Sequence, residues 1–327
     1  LGKKILRGLR QISIEPIAFC DNNPNLWGQR VNGLVVLSPS TASHQYGEKA
    51  IFMITIWKGE HKCDFISLKQ QLIDAGCKNI VSFVYLFWKY PELFLPHPAF
   101  ELPDLVYNNA DKIVQAMELW TDEYSCKEYL AQIRLRALAD FEGLPSKDDK
   151  LQYFPNDLIH LYPEEVFVDG GAFDGDTLAN FLTLQGNSFN GHIFSFEPDP
   201  LNVLKLNRYI STLNDNIKNK ITIIQKGLSY SIVKERFNAT GTVSSMIDSN
   251  GNIEIDCVPL DDVLGKIKTT FIKMDIEGSE LNAINGAFHT IKMHKPILAV
   301  SVYHETHHLW EIPLCIKSIF SGYKFFL

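Results

Sequence analysis

The sequence has little of what marks a membrane, nucleic-acid-binding or disulfide-stapled protein. Its longest apolar run, IVSFVYLFW (80 to 88), is about half of the ~20 residues a membrane-spanning helix needs. Basic residues are in deficit: 31 Lys and Arg against 38 Asp and Glu give a formal charge of −7 and a pI near 5.8. Binders of phosphate backbones usually carry a basic stripe, so no nucleic-acid partner is expected, although local basic patches stay open. The cysteines (Cys20, Cys63, Cys77, Cys126, Cys257, Cys315) are scattered, with no C-x-x-C pair and no histidine at zinc-like spacing. They read as reduced core thiols, and no metal site is assigned. Signal-peptide layout, internal repeats and low-complexity tracts are all missing. A cytoplasmic protein without a membrane span is expected.

What is present suffices for one large core or two medium ones: 327 residues, 46% hydrophobic and 21% charged. Two domains are expected. Residues 1–105 alternate helix (KKILRGLRQI, DFISLKQQLIDAG) and strand (EPIAFCD, GLVVLS, KAIFMITIW, NIVSFV), the pattern of a small Rossmann-like α/β domain. Its end, FVYLFWKYPELFLPHPAFELPD, is too rich in aromatics and proline for a long regular element and reads as a connector. Residues 106–150 form a helical connector, with Ile113, Met117, Trp120, Tyr129, Ile133 and Leu138 at near-helical spacing before the break EGLPSKDDK. A second alternation fills 151–327: strands EVFVDG, HIFSFEP, ITIIQKG, TTFIKMD and PILAVSVYH with helices between, interrupted by a hairpin-like insertion turning at SNGN (249 to 252). LGKKILRGL reads as a helix lacking its preceding strand, and GYKFFL stops inside a strand. The chain is therefore expected to be trimmed at both ends.

In an open parallel sheet, ligands bind beyond the carboxyl ends of the strands, where the winding reverses. In the second domain those ends carry Asp169, Gly170, Gly171 and Asp174; Glu197 and Pro198; Lys226 and Gly227; Asp275, Ile276, Glu277 and Gly278; and His304. Two glycines let the backbone turn tightly and come close to a ligand. A phosphate-binding turn would avoid so many acids, whereas a ligand carrying a sulfonium, an ammonium group and ribose hydroxyls would be attracted to them. Glu197 is placed to accept hydrogen bonds from both ribose hydroxyls. The combination points to S-adenosylmethionine rather than NAD.

EVFVDGGAFDGDT, FSFEPDP, VPLDDVL and above all FIKMDIEGSELNAINGA, with the upstream YFPNDLIHL, resemble the FkbM family of S-adenosylmethionine-dependent methyltransferases over roughly 150–327. The resemblance implies a class I methyltransferase fold, a Rossmann-like doubly wound sheet, and methyl transfer to oxygen on a sugar or related metabolite. It puts the cofactor on Asp169, Gly171, Asp174 and Glu197, with Gly170, Thr177, Pro198, Gly227 and Asp275 completing the expected contacts. Asp275 and Glu277 then face the reaction centre. The small first domain resembles those preceding nucleotide-sugar-modifying enzymes, through FCDNNPNLWGQRVNGLVVLSP, with Asp21 as its ribose acid.

Such a reaction needs alignment and a base. His304 is the first candidate base, because an ordinary imidazole pKa of about 6.5 lets it accept a proton near neutral pH. Asp275 would orient it, and Glu277 would hold the acceptor or the cofactor's amino group. Lys273, on the same side of its strand as Asp275, is expected to pair with an acid. A divalent cation among Asp275, Glu277, Glu280, His304, His307 and His308 is a competing reading, against capping and solvation of Glu280 and His308 at helix starts. NATGTVSSMIDSNG (238 to 251), with Ser244 and Ser245, is either a lid or a plain flap. Asp261 and Asp262 are expected to cap the helix DVLGKI. Phe83, Tyr85, Phe87, Trp88 and Tyr90 would pack between the domains or stack on a sugar. Partners are thus a small-molecule or glycan acceptor, with homo-oligomerisation left open. A non-catalytic binder of the cofactor or of a nucleotide sugar, and an NAD-dependent oxidoreductase, are the alternative functions.

Overall fold

The computed structural model describes residues 1–56, 65–95, 97, 100–144 and 152–327. Cys63 and most of EGLPSKDDK lie outside them. The chain divides into two compact units, Leu1–Ala110 with Lys127–Leu144, and Asp111–Cys126 with Pro145–Leu327. The residues expected as a separate connector are therefore shared between the units. Among the described residues no helix is long and apolar enough to cross a membrane.

In the first unit, β1 (Phe19–Cys20) runs parallel to β3 (Leu34–Leu37), which pairs antiparallel with β2 (Arg30–Val31); β4 (Ile51–Ile54) and β5 (Asn79–Ser82) form a separate parallel pair. The aromatic stretch behaves differently from expectation. It folds into two short helices, Val84–Lys89 and Pro91–Phe94, and Phe83, Phe87, Phe94 and Phe100 are buried with Leu135 and Phe141 as this unit's own core. Phe87 and Phe94 stack at 4.9 Å. Proline at the first position of the second helix starts it without losing a backbone bond, so the proline-rich composition did not prevent helix. Cys20 is exposed, so the reading of every cysteine as a core thiol fails there; Cys77 and Cys257 are buried.

The second unit is built on a five-stranded parallel sheet: β6 (Val166–Gly170), β7 (His192–Phe196), β8 (Ile221–Ile224), β13 (Phe271–Met274) and β14 (Ile297–Val300), in the order β14-β13-β6-β7-β8. Chain order reverses at β6, which has β7 on one side and β13 on the other. β6 and β13 are covered on both faces, which is why VFV and FI read as unbroken apolar runs. On one face Phe167 and Phe271 pack with Phe154 and with Phe181 and Leu206 of the helices Asp176–Gln185 and Pro200–Ser211. On the other, Val168, Ile272 and Met274 meet the helices Glu280–Asn285, Phe288–His294 and His308–Ile319. The sheet is thus doubly wound.

A four-stranded sheet follows β8 in the chain: β9 (Gly227–Leu228), β10 (Val233–Asn238), β11 (Met246–Ile247) and β12 (Ile253–Val258), in the order β11-β10-β12-β9. This is the expected insertion. Two local expectations change. SELNAINGAFHTI is two helices rather than one, parted at Gly286, whose carbonyl accepts from Asp261 N (2.9 Å) and where a Cβ would lie 2.0 Å from the Ser229 carbonyl oxygen. Asp261 does not cap its own helix; its carboxylate accepts from the His289 and Thr290 backbone N–H groups (2.8 Å each) and so caps the helix Phe288–His294.

Candidate active site

Beyond the carboxyl ends of β6, β7 and β13 lies a cleft of about 210 Å³, at the place where the winding reverses. Of the D-G-G turn, Gly171 lines it. Gly171 has φ +76, and a Cβ on it would lie 2.0 Å from the Asp275 carbonyl oxygen, so only glycine lets this turn cross the end of β13. The Gly171 and Ala172 N–H groups both bond the Phe196 carbonyl at 3.0 Å, tying the turn to the end of β7.

Asp169 itself is not part of the cleft lining. It lies opposite Lys273 in the β6–β13 register, both are buried, and Lys273 Nζ stands 3.1 Å from Asp169 Oδ1. The ammonium also donates to the carbonyls of Gly170 (3.1 Å) and Gly171 (2.7 Å). Burial pushes the Asp169 carboxyl up, opposed by the Lys273 charge. Two charges inside an apolar strand pair thus neutralise each other and clamp the turn. Lys273 sits 5.3 Å from the Tyr153 ring centroid.

Glu197, at the end of β7, is 5% exposed and lines the cleft. Its Oε2 accepts from Phe173 N (2.9 Å) and its Oε1 from Asp199 N (2.9 Å) and Asn202 Nδ2 (3.5 Å), leaving a lone pair on Oε2 for a ligand. Burial raises its pKa against those bonds. Asp199 caps the helix Pro200–Ser211 through Leu201 N (2.8 Å), while its Oδ2 accepts from Gly241 N (2.8 Å) and Ser245 Oγ (2.6 Å). One buried carboxylate therefore straps the segment 240–245, whose Thr242, Val243 and Ser245 wall the cleft, to the first turn of that helix.

The fourth strand end is the most charged. Tyr153 Oη donates to Asp275 Oδ2 (2.7 Å) and Tyr303 Oη to Asp275 Oδ1 (3.1 Å). Burial works against the Asp275 carboxylate, but Lys273, Tyr153 and His304 together hold it below the usual carboxylate range. Glu277 occupies the left-handed region at φ +53, a cost of order 1–3 kcal/mol for a non-glycine residue that the surroundings must hold in place. Glu280 is fully buried; it accepts from Ile276 N (2.9 Å) and Gly278 N (3.1 Å) and so fastens the I-E-G turn.

His304 lies behind this turn. Its Nδ1 is 2.8 Å from Glu280 Oε1, and its Nε2 is 3.4 Å from both Asp275 Oδ1 and Glu277 Oε1. Burial opposes its charge, yet Glu277 and Glu280 drive the imidazole up to about 10, so at neutral pH it is a cation. His308, 3.3 Å from Glu280, is instead lowered to about 4 by burial and stays neutral. Both Glu280 and His308 do begin helices, but they are buried, so solvation does not account for them. Asp275, Glu280 and His304 present ligand atoms within 4.8 Å of one another. Backbone N–H groups and the His304 ring already engage the Glu280 oxygens, and this donor set fits an internal ion-pair network better than a cation.

Residues 169–321 match the family model described as the methyltransferase FkbM domain. They form a methyltransferase FkbM domain. A solved structure, the crystal structure of methyltransferase FkbM from Methylobacillus flagellatus KT, matches with a TM-score of 0.77 at 24% identity, covering 95% of this chain and 79% of that one, a likeness of fold. No curated protein matches the chain. The family match supports a methyltransferase role.

Within the FkbM domain, the expected residues Gly171, Thr177, Glu197, Pro198, Gly227, Asp275 and Glu277 come together around the cleft. Asp169, Gly170, Asp174 and His304 lie outside its lining. The sequence reading passed over Tyr153, Phe173, Asp176, Asn202 and Tyr303, which line it, and Asp199, which holds its strap. Asp176 was legible as an acid on the first turn of the helix after β6, where a carboxylate is favourable. The two tyrosines carry no local signal, being 122 and 28 residues from Asp275.

Proposed function

We propose that the FkbM domain binds S-adenosylmethionine in this cleft and methylates a hydroxyl of a sugar or related metabolite. The reading is carried by one observation: Glu197 and Asp275 rim a single cleft at the sheet's reversal point, inside a methyltransferase FkbM domain. The donor set suits the cofactor. Asp176, Glu197, Asp275 and Glu277 line the cleft against Lys226 and Lys273, and Lys273 is already taken by Asp169 and two carbonyls. The remaining balance is anionic, the sign that attracts a sulfonium and an ammonium group. Glu197 would hold the ribose hydroxyls and the turn at Gly171 the backbone-facing edge of the cofactor. At about 210 Å³ the cleft is below the ~300 Å³ at which small-molecule sites begin, so binding is expected to shift the strap 240–245.

Bound there, S-adenosylmethionine supplies an electrophilic methyl group on a positively charged sulfur. The chain's own residues align the acceptor and take its proton. Alignment of two reactants is worth up to ~7–11 kcal/mol and a positioned base typically ~10²–10⁴-fold. Asp275, rather than His304, is the proton acceptor in this reading, because a charged imidazole has no lone pair to offer. An oxygen that is being alkylated is strongly acidic, so a carboxylate held below its usual range suffices. Tyr153 and Tyr303 orient it, and His304 is a positioning cation 3.4 Å from both Asp275 and Glu277. The five described cysteines are free thiols, which suits a reducing, cytoplasmic setting. Asp275→Asn should lower methyl transfer by ~10²–10⁴-fold with S-adenosylmethionine affinity changed only severalfold; full turnover in this variant would refute the assignment.

A further inference from the structure

Glu197 is largely occupied by its own chain. With Asp199 N and Asn202 Nδ2 on Oε1 and Phe173 N on Oε2, the carboxylate keeps one free lone pair, on Oε2. A ribose presents two hydroxyls, and each donates one hydrogen bond. The second hydroxyl therefore needs another acceptor beside the first.

Asn202 has one to offer. Asp199 caps the helix Pro200–Ser211 and Pro200 starts it, which puts Asn202 in the first turn, where side chains lean back toward the N-terminal end and so toward the end of β7. Asn202 is 2% exposed and lines the cleft with Glu197 and Thr242. Its amide has one orientation. Nδ2 faces two acceptors, Glu197 Oε1 (3.5 Å) and the Thr242 carbonyl (3.4 Å), and turning the group over would set Oδ1 against both. Oδ1 is sealed from solvent and has no hydrogen-bond partner among the described residues. Such acceptors are rare, because folding forfeits the bond to water without replacing it. Both bonds of Nδ2 are long, and one goes to the strap 240–245, the segment that binding is expected to shift. The amide is thus lightly held, and movement of the strap uncovers it.

We propose that Asn202 is the second ribose-binding residue of the cleft: with the strap shifted, its Oδ1 accepts one ribose hydroxyl of the cofactor while Glu197 Oε2 accepts the other. The inference rests on the S-adenosylmethionine reading above and divides between two side chains the diol contact given there to the carboxylate. An amide suits the position, since it adds an acceptor without setting a second anion against Glu197.

Calorimetry of the full chain with S-adenosylhomocysteine and with its 2′-deoxy and 3′-deoxy ribose analogues, repeated on Asn202→Leu and Asn202→Ala, tests the assignment. Each variant's thermal transition is checked against wild type, and a variant that melts below the assay temperature leaves the comparison to the other. Wild type should bind each analogue at least ~5-fold more weakly than S-adenosylhomocysteine. In the variants one analogue, the same in both, should bind as tightly as S-adenosylhomocysteine itself, because the acceptor of the missing hydroxyl is already gone. A residue that merely supports Glu197 or the strap would weaken all three ligands by the same factor. That additive result, or a wild type indifferent to either hydroxyl, overturns the role of Asn202 and leaves the cofactor reading standing. Failure of both S-adenosylmethionine and S-adenosylhomocysteine to bind wild type overturns the cofactor reading, and this assignment with it.

Discussion

Replacing Glu280 by glutamine tests the charge network directly. The substitution keeps the side chain's length and one carbonyl acceptor, but removes the anion 2.8 Å from His304 Nδ1. A rise of the imidazole from 6.5 to about 10, at ~1.36 kcal/mol for each tenfold, puts ~5 kcal/mol on the charged form. Burial opposes that charge, and Glu277 and Glu280 are the two main groups that overcome it, so at least half of the net value, ~2–3 kcal/mol, is lost with Glu280. Weakened capping of Ile276 N and Gly278 N adds about 1 kcal/mol, for a total near the ~3–5 kcal/mol measured when buried pairs are broken. The pH dependence follows from the raised folded-state value. In wild type the stabilisation from His304 is complete below about 6.5 and fades as pH rises through about 10. The deficit of Glu280→Gln should therefore be large at pH 6.5 and narrow to about 1 kcal/mol near pH 10. Urea unfolding across this range, with the imidazole followed by NMR, measures both quantities. A wild-type His304 that titrates near 6.5, or a deficit constant with pH, would refute the reasoning.

Gly171→Ala should destabilise the fold by at least ~3 kcal/mol in denaturant unfolding, since φ +76 is strained for alanine and its Cβ would meet the Asp275 carbonyl at 2.0 Å. Tyr153→Phe removes a 2.7 Å hydrogen bond to Asp275, and the folded-state pKa of that carboxyl should climb toward its ordinary value. The acid limb of the rate-pH profile should then move to higher pH, an outcome that a purely structural tyrosine would not produce.

Much of the second unit could be read from the chain because its chemistry is local. VFVDG, HIFSF and FIKM are short apolar runs of a sheet buried on both faces, and the acids and glycines after them mark the strand ends. What could not be read depends on register and distance. Asp169 looks like a ligand contact in sequence; only the pairing of β6 with β13 reveals that it is spent on Lys273. His304 looks like a free base until three carboxylates from another turn surround it. Tyr153 reaches Asp275 across 122 residues, a contact no periodicity encodes. In the first unit the aromatic-rich stretch was legible as irregular but not as core, since its rings find one another only after two short helices bring Phe87 against Phe94. Gly286 shows the same limit: the backbone that demands a glycine there is Ser229, far away in the chain.

The central claim is that the cleft rimmed by Glu197 and Asp275 holds a cationic methyl donor. Calorimetric titration of the full chain with S-adenosylmethionine and with NAD, repeated on Glu197→Gln, tests it most directly. S-Adenosylmethionine should bind one to one, NAD should not, and Glu197→Gln should weaken the donor at least ~10-fold through loss of the ribose contacts. Saturating donor that gives no heat, or affinity unchanged in Glu197→Gln, would contradict the claim.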